Sequence, residues 1–212
     1  MAAFEAARAA GFAIECDVQL TADGQAVVFH DARLDRLTAL SGAVALKTAS
    51  DLAQVRLLGT ADTIRTLGEH MDRVAGAVPV IVELKGVGEN APRLVDAVAR
   101  ALDGYRGPVA VMSFDHSICE LFRSVIPAIP RGLTAEGDES THGAHRHAME
   151  TFDLQFASYD VNAVPNAFTD SLRRAGTPVL TWTVRTQQQA ERSFRYADQM
   201  TFEGFDPRHG DR

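Results

Sequence analysis

Short apolar runs alternate along the chain with stretches whose apolar positions recur every three or four residues. The runs at 12–18, 78–84, 109–114, 130–134, 154–159, 178–184 and 198–203 predict strands, and the stretches at 2–10, 62–75, 91–102, 116–125, 140–150, 166–175 and 186–195 predict helices. Strand-helix alternation builds crossover units around a parallel sheet. The run VPVIVEL is apolar on both faces, as a parallel strand covered by helices should be. Seven such strands predict an α/β fold, a (β/α)8 TIM barrel that is incomplete, one strand short of eight. An open doubly wound sheet is the alternative. It is disfavoured because no glycine-rich phosphate loop follows an early strand. No repeat, low-complexity tract or linker divides residues 1–212, so a single domain is expected.

The segment IECDVQLTADGQAVVFHD adds a local feature. Ile14, Cys16 and Val18 alternate with Glu15, Asp17 and Gln19, which puts both carboxylates on one face of a strand. Asp23-Gly24 signals a two-residue hairpin, since both central positions of a type I′ turn need positive φ. The return strand would be 26–30. With Asp23 and Gly24 as the loop, His30 stands across from Asp17 on the same face, with Cβ atoms about 5 Å apart. The stretch MAAFEAARAAG reads as a helix closed by Gly11 with no capping residue before it, so the chain is expected to begin inside a helix.

Composition narrows the partners. The 212 residues carry 21 basic and 28 acidic side chains, a net charge of −7, with no long basic run. That argues against nucleic acid or an anionic membrane surface, and it means an anionic substrate needs a local positive centre. Cys16 and Cys119 make no disulfide framework. No apolar run is long enough to anchor the chain stably in a bilayer, and the N-terminal stretch is not a signal peptide, so a cytoplasmic location is expected.

IVELKG repeats the device of the first strand: Glu83 and Lys85 share a face at a strand's C-terminal end, where barrel active sites lie. Glu15, Asp17 and Glu83 could meet there. Three carboxylates in one place stay ionised only beside a cation, and an all-oxygen set selects Mg²⁺ or Ca²⁺ over zinc. Lys85 would suit a phosphate oxygen and His30 a proton transfer. Against this, acidic residues at strand ends are often just solvated or cap the next helix, and a histidine after VVF can be a core residue.

Several blocks together resemble the glycerophosphodiester phosphodiesterase family: AAFEAARAAGFAIECDVQLTADGQAVVFHDARLDRLT, then DTIRTLGEHM, VPVIVELKG, VMSFD, PVLTWTV and ADQMTFEGF, in that family's order and over the whole chain. The resemblance implies a (β/α)8 barrel that hydrolyses glycerophosphodiesters to an alcohol and glycerol 3-phosphate. It implies Glu15, Asp17 and Glu83 as ligands of a divalent cation, His30 as one of two catalytic histidines, Lys85 on phosphate and Trp182 as a wall for the glycerol or alcohol group. The sequence departs from the family in two places. The family's first strand ends in His-Arg-Gly, which has no counterpart here because Met1 stands where the following helix is under way. The first strand, the other catalytic histidine and its arginine are therefore expected to be missing, leaving a slot between Ile14 and Met200, marginal stability and impaired activity. The last strand, usually Thr-Asp-x-Pro, reads TFEGFDP, with Glu203 and Asp206 displaced.

Other features are ambiguous on residues alone. Trp182 reads equally as barrel core. Ser113, Phe114 and His116 end a strand, and capping by Asp115 explains them as well as chemistry does. His142, His145 and His147 read as a solvated loop or helix start, and EGDES as a surface turn. Two other functions stay open: an inactive barrel that binds anionic ligands, and a phospholipase D-like activity on lysolipids.

Overall fold

The structure, a computed structural model, describes residues 1–86 and 88–208. Its residue contacts form two compact units, Met1–Ile129 and a second from Pro130 on.

The first unit is built on β1 (Ile14–Leu20), β2 (Ala26–Val28), β3 (Val80–Leu84) and β4 (Val109–Ser113), in the order β2-β1-β3-β4. β1 and β3 run parallel with Asp17 beside Glu83, and β3 and β4 run parallel with Glu83 beside Met112. β2 is antiparallel to β1. One face of this sheet is apolar: Ile14, Cys16, Val18, Val80, Val82 and Leu84 pack on helices α1 (Ala2–Ala10), α3 (Leu67–Val74), α4 (Ala91–Leu102) and α5 (His116–Val125) through Phe4, Met71, Leu94, Val98, Ile118 and Phe122. Burying that row fixes which residues face the other way, because side chains alternate along a strand. A smaller cluster of Val27, Phe29, Leu34, Val44, Leu52 and Ile64 holds the segment between β2 and α3, which includes the short α2 (Ala49–Leu52).

The second unit carries four parallel strands in sequence order: β5 (Arg131–Ala135), β6 (Phe156–Asp160), β7 (Val179–Val184) and β8 (Gln199–Phe202). They alternate with α6 (His142–Thr151), α7 (Ala167–Arg174) and α8 (Gln187–Tyr196). The expected seven strands of parallel pairing are thus all present among the described residues, in an α/β fold of the (β/α)-barrel class.

Three expectations need correction or completion. The hairpin loop has three residues, not two: Val18 pairs with Val28, Gln19 with Val27 and Leu20 with Ala26. The reason is that Gly24 alone takes positive φ, 77°. Gly24 N–H donates to Thr21 O and Thr21 N–H to Gln25 O, a type I turn closed by one left-handed residue. The shift puts Phe29, not His30, across from Asp17, and Phe29 N–H donates to Asp17 O at 3.0 Å. Second, α1 has no side-chain cap before it, as expected, but its start is held from far along the chain. Asp62 accepts from Ala2 N–H at 2.7 Å and pairs with the Met1 ammonium at 3.0 Å. Third, His142 and His145 do lie at a helix start, one of the two readings of the sequence, but they are not solvated. Both are buried on α6, ring to ring with Tyr159 and Phe168, while His147 is exposed. Their spacing of three residues puts both on the inward face of α6.

Candidate active site

The face of β1 and β3 turned away from the helices carries Glu15, Asp17 and Glu83. One carboxylate oxygen from each lies within 4.8 Å of the others. The parallel register makes this unavoidable, since Asp17 and Glu83 are Cα partners and Glu15 is the next same-face residue. Lys85 leaves the end of β3 on the same side, with Nζ 2.5 Å from Glu83 Oε1 and 3.1 Å from Asp17 Oδ1. Burial pushes the Glu83 carboxyl above its usual range, against the pull of Lys85. Burial opposes the charge on Lys85, but Glu83 and Asp17 outweigh it and raise the ammonium above its usual value. The Lys85 ammonium also stands 5.5 Å from the centre of the Phe114 ring, which is partly exposed at the end of β4.

Three carboxylates face one ammonium, so the group holds more negative charge than its own lysine offsets. An all-carboxylate donor set of this size fits a hard divalent cation. His30 follows β2. Its field is among those that act on Glu83, although the hairpin register alone does not aim it there. Its main-chain oxygen accepts from Gln19 Nε2 at 2.9 Å, and its Nδ1 lies 2.7 Å from Asp31 Oδ1. Arg36 binds the same carboxylate with Nε to Oδ2 at 2.7 Å and Nη2 to Oδ1 at 2.6 Å. The sequence reading noted the His-Asp pair but gave Asp31 no role, and it missed Arg36. The only signal was HDARLDR itself, an acid and a base five residues apart after the histidine.

The remaining candidates resolve as follows. Trp182 is half-buried on β7 in the second unit, and its indole N–H donates to Ser158 O at 3.1 Å. Ser113 is structural: its hydroxyl donates to Leu84 O at 2.8 Å and accepts from Asp115 N–H at 3.1 Å. Asp115 caps α5, as its position implied, accepting from Ser117 N–H at 2.8 Å. Glu203 pairs with Arg185 at 2.6 Å, and Asp206 with Arg208 at 2.7 Å.

A strand-helix fold with three carboxylates and a lysine gathered on its strand ends has the groups to bind a cation and an anion together. Residues 1–205, spanning both units, match the model of the glycerophosphoryl diester phosphodiesterase family, and the chain belongs to that family. YhdW of Bacillus subtilis, a protein assigned provisionally to glycerophosphodiester phosphodiesterase activity, is 30% identical over 193 residues, 84% of this chain and 76% of that protein. A glycerophosphodiester phosphodiesterase of Caldanaerobacter subterraneus is 27% identical over 92% of this chain and 83% of its own length. Among solved structures, an Oleispira antarctica phosphodiesterase in complex with the product sn-glycerol-3-phosphate superimposes with a TM-score of 0.87, at 22% identity over 95% of this chain and 85% of that one. Among the described residues no helix is long and apolar enough to cross a membrane.

Proposed function

We propose that this chain hydrolyses glycerophosphodiesters to an alcohol and glycerol 3-phosphate with the help of a divalent cation. The observation that carries the reading is the convergence of Glu15, Asp17 and Glu83 within 4.8 Å, beside Lys85, on strands of a chain from this family. Those three side chains would hold Mg²⁺ or Ca²⁺, which when bound neutralises charge on the phosphate. Lys85 binds a non-bridging phosphate oxygen. Its ammonium is already held at the cluster and kept protonated by the same carboxylates. His30 moves a proton, taking it from the nucleophile or giving it to the leaving alkoxide. The product bound by the Oleispira relative supports the choice of glycerol 3-phosphate.

The test is release of glycerol 3-phosphate from a glycerophosphodiester, with Mg²⁺ or Ca²⁺ and with a chelator. The cation should raise the rate. His30→Ala should lower kcat by at least about 10²-fold through lost proton transfer. No release under any cation would overturn the hydrolase reading, and a His30→Ala variant that keeps its turnover would reduce the histidine to a structural residue.

A further inference from the structure

Asp31 and Arg36 belong to no ligand set, yet they are built around Nδ1 of His30. The Asp31 carboxylate is mostly buried, 21% exposed, and Oδ1 takes both His30 Nδ1 at 2.7 Å and Arg36 Nη2 at 2.6 Å. Arg36 Nε closes a two-point grip on Oδ2 at 2.7 Å. Such planar two-point pairs are the strong and directional ones, unlike a single contact between flexible surface charges. The backbone on either side is also pinned. Phe29 N–H donates to Asp17 O, and Gln19 Nε2 donates to His30 O. Arg36 rides on a turn closed by Thr38 N–H and Thr38 Oγ1, both donating to Leu34 O, with Leu34 fully buried.

We propose that Asp31 and Arg36 are positioning residues that fix the His30 imidazole with its proton on Nδ1, so that Nε2 is the nitrogen that takes and returns a proton in the reaction. A free neutral imidazole can carry its proton on either nitrogen and can turn about its side-chain bonds. An ionised carboxylate at Nδ1 accepts only, so it selects the Nδ1–H form and stabilises the imidazolium that forms after proton uptake. Arg36 keeps that carboxylate ionised and oriented. The Arg36 guanidinium, with His30 adding to it, holds the Asp31 carboxyl down at about 2. The catalytic consequence rests on the hydrolase reading; the tautomer does not.

The experiment therefore has two arms. In the first, ¹⁵N NMR of the histidine-labelled chain is read at His30, assigned by its loss in His30→Gln. The wild type should show a protonated Nδ1 and a bare Nε2. Asp31→Ala should lose that preference. In the second arm, Asp31→Ala should lower kcat about 10–100-fold, the range seen when the partner that orients a functional histidine is removed. KM should stay within about twofold, since the interaction matters in the transition state. Arg36→Gln should have a smaller effect in the same direction, and Arg36→Lys should restore part of it. Arg33→Gln, which removes a neighbouring charge paired within its own turn to Asp35 at 3.2 Å, is the control and should change neither readout. A wild-type His30 protonated on Nε2, or an Asp31→Ala variant with unchanged tautomer, would overturn the proposal. A chain with no turnover would sink the hydrolase reading and leave the NMR arm to decide this one.

Discussion

His70 is a buried base with an energetic consequence. It sits on α3 at 3% exposure under the Phe4 ring, 4.2 Å between centroids, and its Nδ1 has no hydrogen-bond partner among the described residues. Burial first, and the Met1 ammonium second, push the imidazole down to about 4. The sign follows from linkage. The unfolded chain takes up this proton near the ordinary histidine value, and the folded chain only near 4. Stability is therefore unaffected above about pH 6.5 and is lost as pH falls from there toward 4, by up to roughly 3 kcal/mol. Urea unfolding at a series of pH values should show this acid limb in the wild type and a shallower one in His70→Leu. Parallel limbs would mean that the unfolded state or other carboxylates carry the effect.

The β1–β2 hairpin is where an element depends on one residue's backbone freedom. Gly24 has φ 77°, and a Cβ there would meet only Arg93 Nη2 at 4.0 Å. Space is not the obstacle; the left-handed backbone is. Gly24→Ala should cost about 1–2 kcal/mol, and Gly24→Asn less, because Asn tolerates that region. Asp23 ties the same turn to α2, its Oδ1 accepting from Thr21 Oγ1 at 2.6 Å and from Ala49 N–H at 3.0 Å. The residue pair that looked like a two-residue loop thus divides its work: the glycine makes the bend and the aspartate fastens it. Denaturation midpoints of the two variants check the order. Equal losses would point to sterics instead of backbone preference.

At the scale of the whole molecule, a cation held by Glu15, Asp17 and Glu83 links two strands that are far apart in sequence, so it should act on global stability. Ligand that binds only the folded state stabilises by mass action, about 2.7 kcal/mol at a concentration 100 times Kd. Mg²⁺ or Ca²⁺ should raise the melting temperature of the chelator-treated protein, and Glu83→Gln should weaken the rise; a wild-type melt indifferent to both ions would remove the metal from the proposal. Most of this molecule's plan was local enough to read directly. Alternation in IECDVQL and VIVELKG placed Glu15, Asp17, Glu83 and Lys85 on chosen faces, because a strand's side-chain period and a buried opposite face leave no other choice. The order of seven strands and of seven of the eight α-helices among the described residues followed from the same periodicities; the short α2 did not. What local pattern could not supply was anything that depends on a partner distant in the chain or on one torsion angle. The Asp17–Glu83 register came from two strands packing on a shared helix layer. The hairpin loop gained a residue because only Gly24 went left-handed, which moved His30 out of line with Asp17. The cap of α1 came from Asp62, and the charges that grip Asp31 and His30 came from a turn held by Leu34 and Thr38. Periodicity fixes which face a residue occupies, because that is a property of the local backbone. Which residues meet across that face is settled by the burial of the whole core, and only the folded chain contains that information.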